Sequence, residues 1–182
     1  MGKIIGNHQY NKNTSYEVFK TTPFFKTHGD KPCFYVIQPQ PCGNKSQSTL
    51  GYKLGKTEGQ RTANSSGGTS MKDRFRQYEV HYNKFYILHV RVFDKATRGT
   101  HFTGENENPI TLAKQYEKFV INELKSLKVL PVRGNEFFEK YTDIKKAIGN
   151  VDKRFAVSTV PVVNNRVNVR IRKPPQEWFV VK

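Results

Sequence analysis

The chain is short of acid. Only 15 of its 182 residues are Asp or Glu against 31 Lys or Arg, giving a formal net charge of +16 at pH 7 and a pI of about 9.9. That imbalance presents a strongly positive field to anions and makes nucleic acid the leading partner, with a ribosomal or virion-packaged role as another source of such charge. Cysteine is scarce too. Cys33 and Cys42 are the only two, which excludes a disulfide framework or a zinc site, and Cys33 lies in an apolar run where a buried free thiol is ordinary. Long apolar runs are missing altogether. None approaches a membrane span, and Ile4 and Ile5 do not make a signal peptide. Met1-Gly2 does not open an acylation motif, because Gly6 stands where Ser or Thr is needed. The expectation is a soluble, intracellular protein of cytoplasm, nucleus or virion, neither secreted nor membrane-bound. The length suits one core domain with extensions.

Aromatic and β-branched residues supply the order. Residues 1–31 carry Tyr10, Tyr16, Phe19, Phe24 and Phe25 without a clean period, which reads as an arm packing by its aromatics. Residues 33–38 and 51–56 read as two strands of a hairpin with a long loop, and the glycine-rich stretch from Glu58 to Thr69 as another loop. Ser70 and Asp73 have the form of a capping box, and Met71, Phe75, Tyr78 and Tyr82 share helical spacing, so a helix is expected over about 71–80. Residues 84–93 read as a third, interior strand. Asn108-Pro109 reads as a helix start, followed by a stripe of Leu112, Tyr116, Phe119, Val120, Leu124 and Leu127. Gly134–Phe138 is expected to lead into a short helix through about Ile148. Residues 155–163 and 166–172 alternate around Asn164-Asn165 and read as a terminal β-hairpin. The fold class is therefore α/β in the α+β sense: a small central antiparallel sheet flanked by helices, with an arm at 1–31, a core at 32–148 and a hairpin extension at 149–182.

The order strand, strand, Arg-bearing helix, strand, Glu-bearing helix resembles the GIY-YIG nuclease family, in its branch with a Lys-Ile-Gly-like second signature. The likeness runs from about Cys33 to Phe138. Cys33-Phe34-Tyr35 stands at the first signature, Lys53-Leu54-Gly55 at the second with Lys56 and Thr57 continuing it, residues 70–78 at the arginine helix, and residues 117–124 at the glutamate helix. The resemblance implies a DNA endonuclease dependent on Mg²⁺ or Mn²⁺, with Tyr35, Lys53, Arg74 and Glu117 as catalytic residues. Tyr78 falls where a histidine is common, and Asn135 matches the family's late asparagine.

In that scheme Glu117 is the sole carboxylate on the metal, consistent with a cation that keeps most of its water, and Arg74 grips the nonbridging phosphate oxygens. Tyr35 orients or deprotonates the attacking water, with Lys53 favouring its phenolate. Lys56, Lys72, Arg76 and Asn135 are expected on the DNA. Glu123, nearer the centre of its helix stripe, is the rival metal ligand. The alternative function is a noncatalytic basic DNA-binding or structural protein of a nucleoprotein or viral particle on the same scaffold.

Overall fold

The computed structural model describes residues 8–40, 50–59, 69–82, 84–93 and 109–156. Strand β3 (Cys33–Gln40) is buried along nearly its whole length. Successive side chains of a strand point to opposite faces, so a continuous apolar run needs cover on both. Cys33, Tyr35 and Ile37 enter one core and Phe34 and Val36 the other. β3 pairs antiparallel with β4 (Tyr52–Thr57) on one side and with β5 (Lys84–Val92) on the other. β1 (His8–Tyr10) and β2 (Thr14–Ser15) both pair with β5, and β6 (Phe137–Phe138) pairs with β4. The result is a six-stranded antiparallel sheet of order β1-β5-β3-β4-β6, with β2 also on β5. The α+β class expected from the sequence is present, and the third strand is interior as read.

One face is covered by α1 (Tyr16–Phe19), α2 (Pro23–His28) and α3 (Met71–His81). Tyr16, Phe19, Phe25, Phe75, Tyr78 and Phe85 interlock there, with Tyr16 stacked on Phe85 at 4.7 Å between centroids. Each fully buried aromatic of this set contributes about 1.5–3 kcal/mol through removal of apolar surface from water. α3 starts where the capping residues put it: Ser70 Oγ accepts from the Asp73 amide at 3.1 Å and donates to its carboxylate at 2.7 Å. The arm packs by its aromatics, but residues 8–31 are also part of the sheet and its cover rather than an appendage to a core that begins at 32. The two short strands in it have no sequence period of their own, because their order comes from β5.

The other face is covered by α4 (Pro109–Ser126) and α5 (Tyr141–Ala156). α4 has Pro at its first position as expected; the Asn108 cap lies outside the described residues. α5 differs from the sequence reading. Gly134–Phe138, which leads into the helix as expected, itself forms a turn and β6. The helix then runs from Tyr141 past the boundary expected at 148 and includes Phe155 and Ala156, expected in a hairpin. The rest of that hairpin, and most of both expected loops, lies outside the described residues.

A buried ionic contact docks α5. Arg91, with no exposed surface, donates to Asp152 at 2.5 Å and lies 4.8 Å over the Tyr116 ring, while Tyr116 donates to the same carboxylate at 2.7 Å. A register shift between Val36 and Ile37 leaves Leu88 as an extra residue in β5. Its carbonyl, turned away from the ladder, accepts from the Tyr141 hydroxyl at 3.3 Å.

Candidate active site

Tyr35 lies opposite Gly55 in the β3–β4 ladder. The pairing works because residue 55 has no side chain: a Cβ there would collide with the Tyr35 hydroxyl and come within 2.8 Å of Cε2. The phenol ring lies across the strand and its hydroxyl meets that of Tyr78, on α3, at 2.7 Å. Burial, then the neighbouring Tyr78, holds the Tyr35 pKa well above the ordinary phenol value, and burial pushes Tyr78 up to about 12. This corrects the role expected for Tyr35. A phenol so buried is neutral and not placed to deprotonate water; its hydroxyl is engaged by Tyr78. Lys53 does not favour a phenolate either. Its ammonium is tied to Glu136 and lies 4.9 Å over the Phe137 ring.

Arg74 stands one turn before Tyr78 and its charge acts on both tyrosines. Its Nη1 reaches Gln77 at 3.4 Å, and its buried Nε has no hydrogen-bond partner among the described residues. A buried guanidinium donor left open in this way is costly unless an acceptor arrives.

Glu117, on α4, belongs to the opposite face of the sheet. Burial raises its pKa, Glu136 adds to the rise, and Lys56 and Lys53 oppose it. β6 covers β4 only at Tyr52 and Lys53, and the Leu54 amide closes the ladder by donating to the Glu136 carbonyl at 2.9 Å. Gly55–Thr57 has no further strand outside it among the described residues. Glu136 acts electrostatically on both Glu117 and Tyr78, but no hydrogen bond or ion pair among the described residues joins Glu117 to Arg74 or to the tyrosine pair on the other face. Gly134, at φ +54, makes the turn that presents Glu136.

The remaining expected residues divide. Lys56 borders Glu117 and pairs with Glu58 at 3.2 Å; Asn135 is exposed in the turn beside Glu136. Lys72 and Arg76 do not join the site. Lys72 is held by Asp30 at 2.8 Å beneath α2, and Arg76, exposed two positions on from Arg74, acts on Tyr16 at the other flank of α3. Glu123 is not a metal ligand: it is 4% exposed, accepts from Asn150 at 2.8 Å and pairs with Arg154 at 2.8 Å, an anchor between α4 and α5. Glu136 escaped the sequence reading; its only signal was the adjacent Asn135.

Among the described residues no three His, Cys, Asp or Glu side chains cluster to hold a metal. Glu117 nevertheless suits one hard cation that keeps its waters. It is a partly desolvated carboxylate within the field of a second, so a cation relieves a cost already present. No family model, curated protein or solved structure matches the chain.

Proposed function

We propose that the chain is a DNA endonuclease of GIY-YIG type, dependent on a divalent metal, that hydrolyses phosphodiester bonds. The observation that carries this reading is the open Nε of Arg74 beside the Tyr35–Tyr78 pair, with a desolvated glutamate reached around the uncovered edge of β4. Arg74 would take a nonbridging oxygen of the scissile phosphate with its planar fork. Tyr78, kept protonated, would donate to the phosphate or orient the water, and Tyr35 would hold that hydroxyl in place. Lys56 would meet the phosphate charge from the Glu117 side. Glu117 would hold Mg²⁺ or Mn²⁺, which when bound supplies charge stabilisation at the leaving oxygen. The +16 charge supports DNA as the partner.

A second reading, a noncatalytic basic protein of a nucleoprotein or viral particle on the same scaffold, is favoured by one observation: Lys53 is engaged by Glu136 instead of facing substrate. Supercoiled plasmid with Mg²⁺ or Mn²⁺ separates the two. Wild type should nick, Glu117→Gln should bind DNA as well or better without nicking, and folded Glu123→Gln should still nick. A wild type inert with both metals refutes the nuclease.

A further inference from the structure

The connection from α4 to β6 leaves two large aliphatic side chains largely exposed, Val132 with one methyl beside Gly51. Leu127 and Val129 pack on the core, but Leu130 is 75% and Val132 56% exposed, with Pro131 between them. Single exposed aliphatics are ordinary on a protein surface. A pair on one fastened loop is different. The Val129 amide donates to the Leu124 carbonyl at 2.9 Å, the Val132 amide to the Phe137 carbonyl at 2.8 Å, and the Phe137 amide to the Arg133 carbonyl at 3.3 Å. Lys128 takes a left-handed φ of 60° to start the loop. The tip is thus held out by backbone bonds at both ends.

Its surroundings choose the occupant. Lys128 and Arg133 are exposed on either side of the tip, and Arg133 sits 5.9 Å over the Phe137 ring. The one carboxylate within the turn, Glu136, is already neutralised by Lys53. With a net charge of +16 over the whole chain, a polyanion is the partner this surface suits best, and duplex DNA meets both features of the tip at once: phosphates outside, stacked bases within. Apolar wedges between cationic side chains are how proteins part a base step and kink a duplex. The same turn carries Asn135 and Glu136 to the candidate site, so a wedge here would set where the bent backbone falls relative to Arg74 and Glu117.

We infer that Leu130 and Val132 form a wedge that enters a base step of duplex DNA and positions the phosphate for the site; this rests on the nuclease reading above. The test compares wild type with Leu130→Ser/Val132→Ser, full chain, in EDTA so that no strand is cut. The competitors are an intact duplex and the same duplex carrying one abasic position, where stacking is already broken. Wild type should prefer the abasic duplex severalfold, and the variant should lose that preference while keeping its thermal midpoint and the salt dependence of its binding. Equal preference in the two proteins overturns the wedge. If wild type nicks plasmid yet shows no preference, the wedge fails and the nuclease stands; a protein that binds neither duplex fails both.

Discussion

Replacing His89 by leucine isolates a buried titration that falls within the accessible acid range. His89 lies in β5 beneath α4 and α5, 4% exposed, with its ring edge-on to Phe34 at 5.9 Å and Nε2 without a hydrogen-bond partner among the described residues. Burial, helped by the Arg91 charge, pulls its pKa down to about 3 from an ordinary 6.5. The unfolded chain therefore takes up a proton below about pH 6.5 that the folded chain refuses until about pH 3, so stability falls with acid across that window. At about 1.4 kcal/mol per unit, the loss through this one group reaches roughly 2–3 kcal/mol by pH 4.5. Leucine keeps the site apolar and removes the proton. Urea unfolding at pH 7 and 4.5 should show the wild type losing roughly 2–3 kcal/mol more than His89→Leu over the interval. The packing change at Phe34 is present at both pH values and cancels. Equal losses in the two proteins would refute the reasoning, because they would mean that the imidazole charges freely inside the fold.

The anchor of α5 can be tested the same way: Asp152→Ala leaves the Arg91 guanidinium buried without its carboxylate and should cost about 3–5 kcal/mol in chemical denaturation, more than Asp152→Asn. Gly55→Ala forces its Cβ into Tyr35, so it should cost about 1–3 kcal/mol and reduce nicking more than Tyr35→Phe does, measured by thermal melting and plasmid assay. Glu117 has the opposite sign to His89. Its raised pKa means that ionisation weakens the fold as pH climbs above the ordinary carboxylate range, so metal-free Glu117→Gln should melt higher than wild type at pH 7 and no higher at pH 4. Duplex affinity should fall steeply with salt, log K dropping by about 0.9 per phosphate neutralised for each unit of log salt; salt-indifferent binding would remove DNA as the partner of the basic surface.

Much of the fold was legible because its signals are local. The run from Cys33, the Ser70–Asp73 cap and the stripe from Leu112 to Leu127 each state their element within a few residues. β1, β2 and β6 are two or three residues long and exist only by pairing with strands far along the chain, so no period announces them. α5 runs past the expected end at about Ile148 and through Gly149. On the helix surface a Cβ there would meet nothing, and its cost of about 1 kcal/mol relative to alanine is outweighed by Ile144, Ala147, Ile148 and Val151 in the core. At the site, the resemblance rather than residue type singled out Tyr35, Lys53, Arg74 and Glu117. Their environments were not legible: that Lys53 would be tied to Glu136, or Glu123 to Asn150 and Arg154, depends on contacts between residues 27 to 83 positions apart.

The lengths of the outer strands bear on how the molecule behaves in a crowd. An open sheet edge is a template on which another chain can add a strand, and a long flat one seeds aggregates. Here β1 offers three residues, β6 two, and the stretch of β4 beyond β6 three, so no row of free backbone groups among the described residues is long enough to hold an incoming strand in register. Like charge keeps copies apart at a distance, and blunt sheet ends give them little to grip on contact. Salt screens the first of these defences, whereas the second, as far as the described sheet goes, does not depend on it.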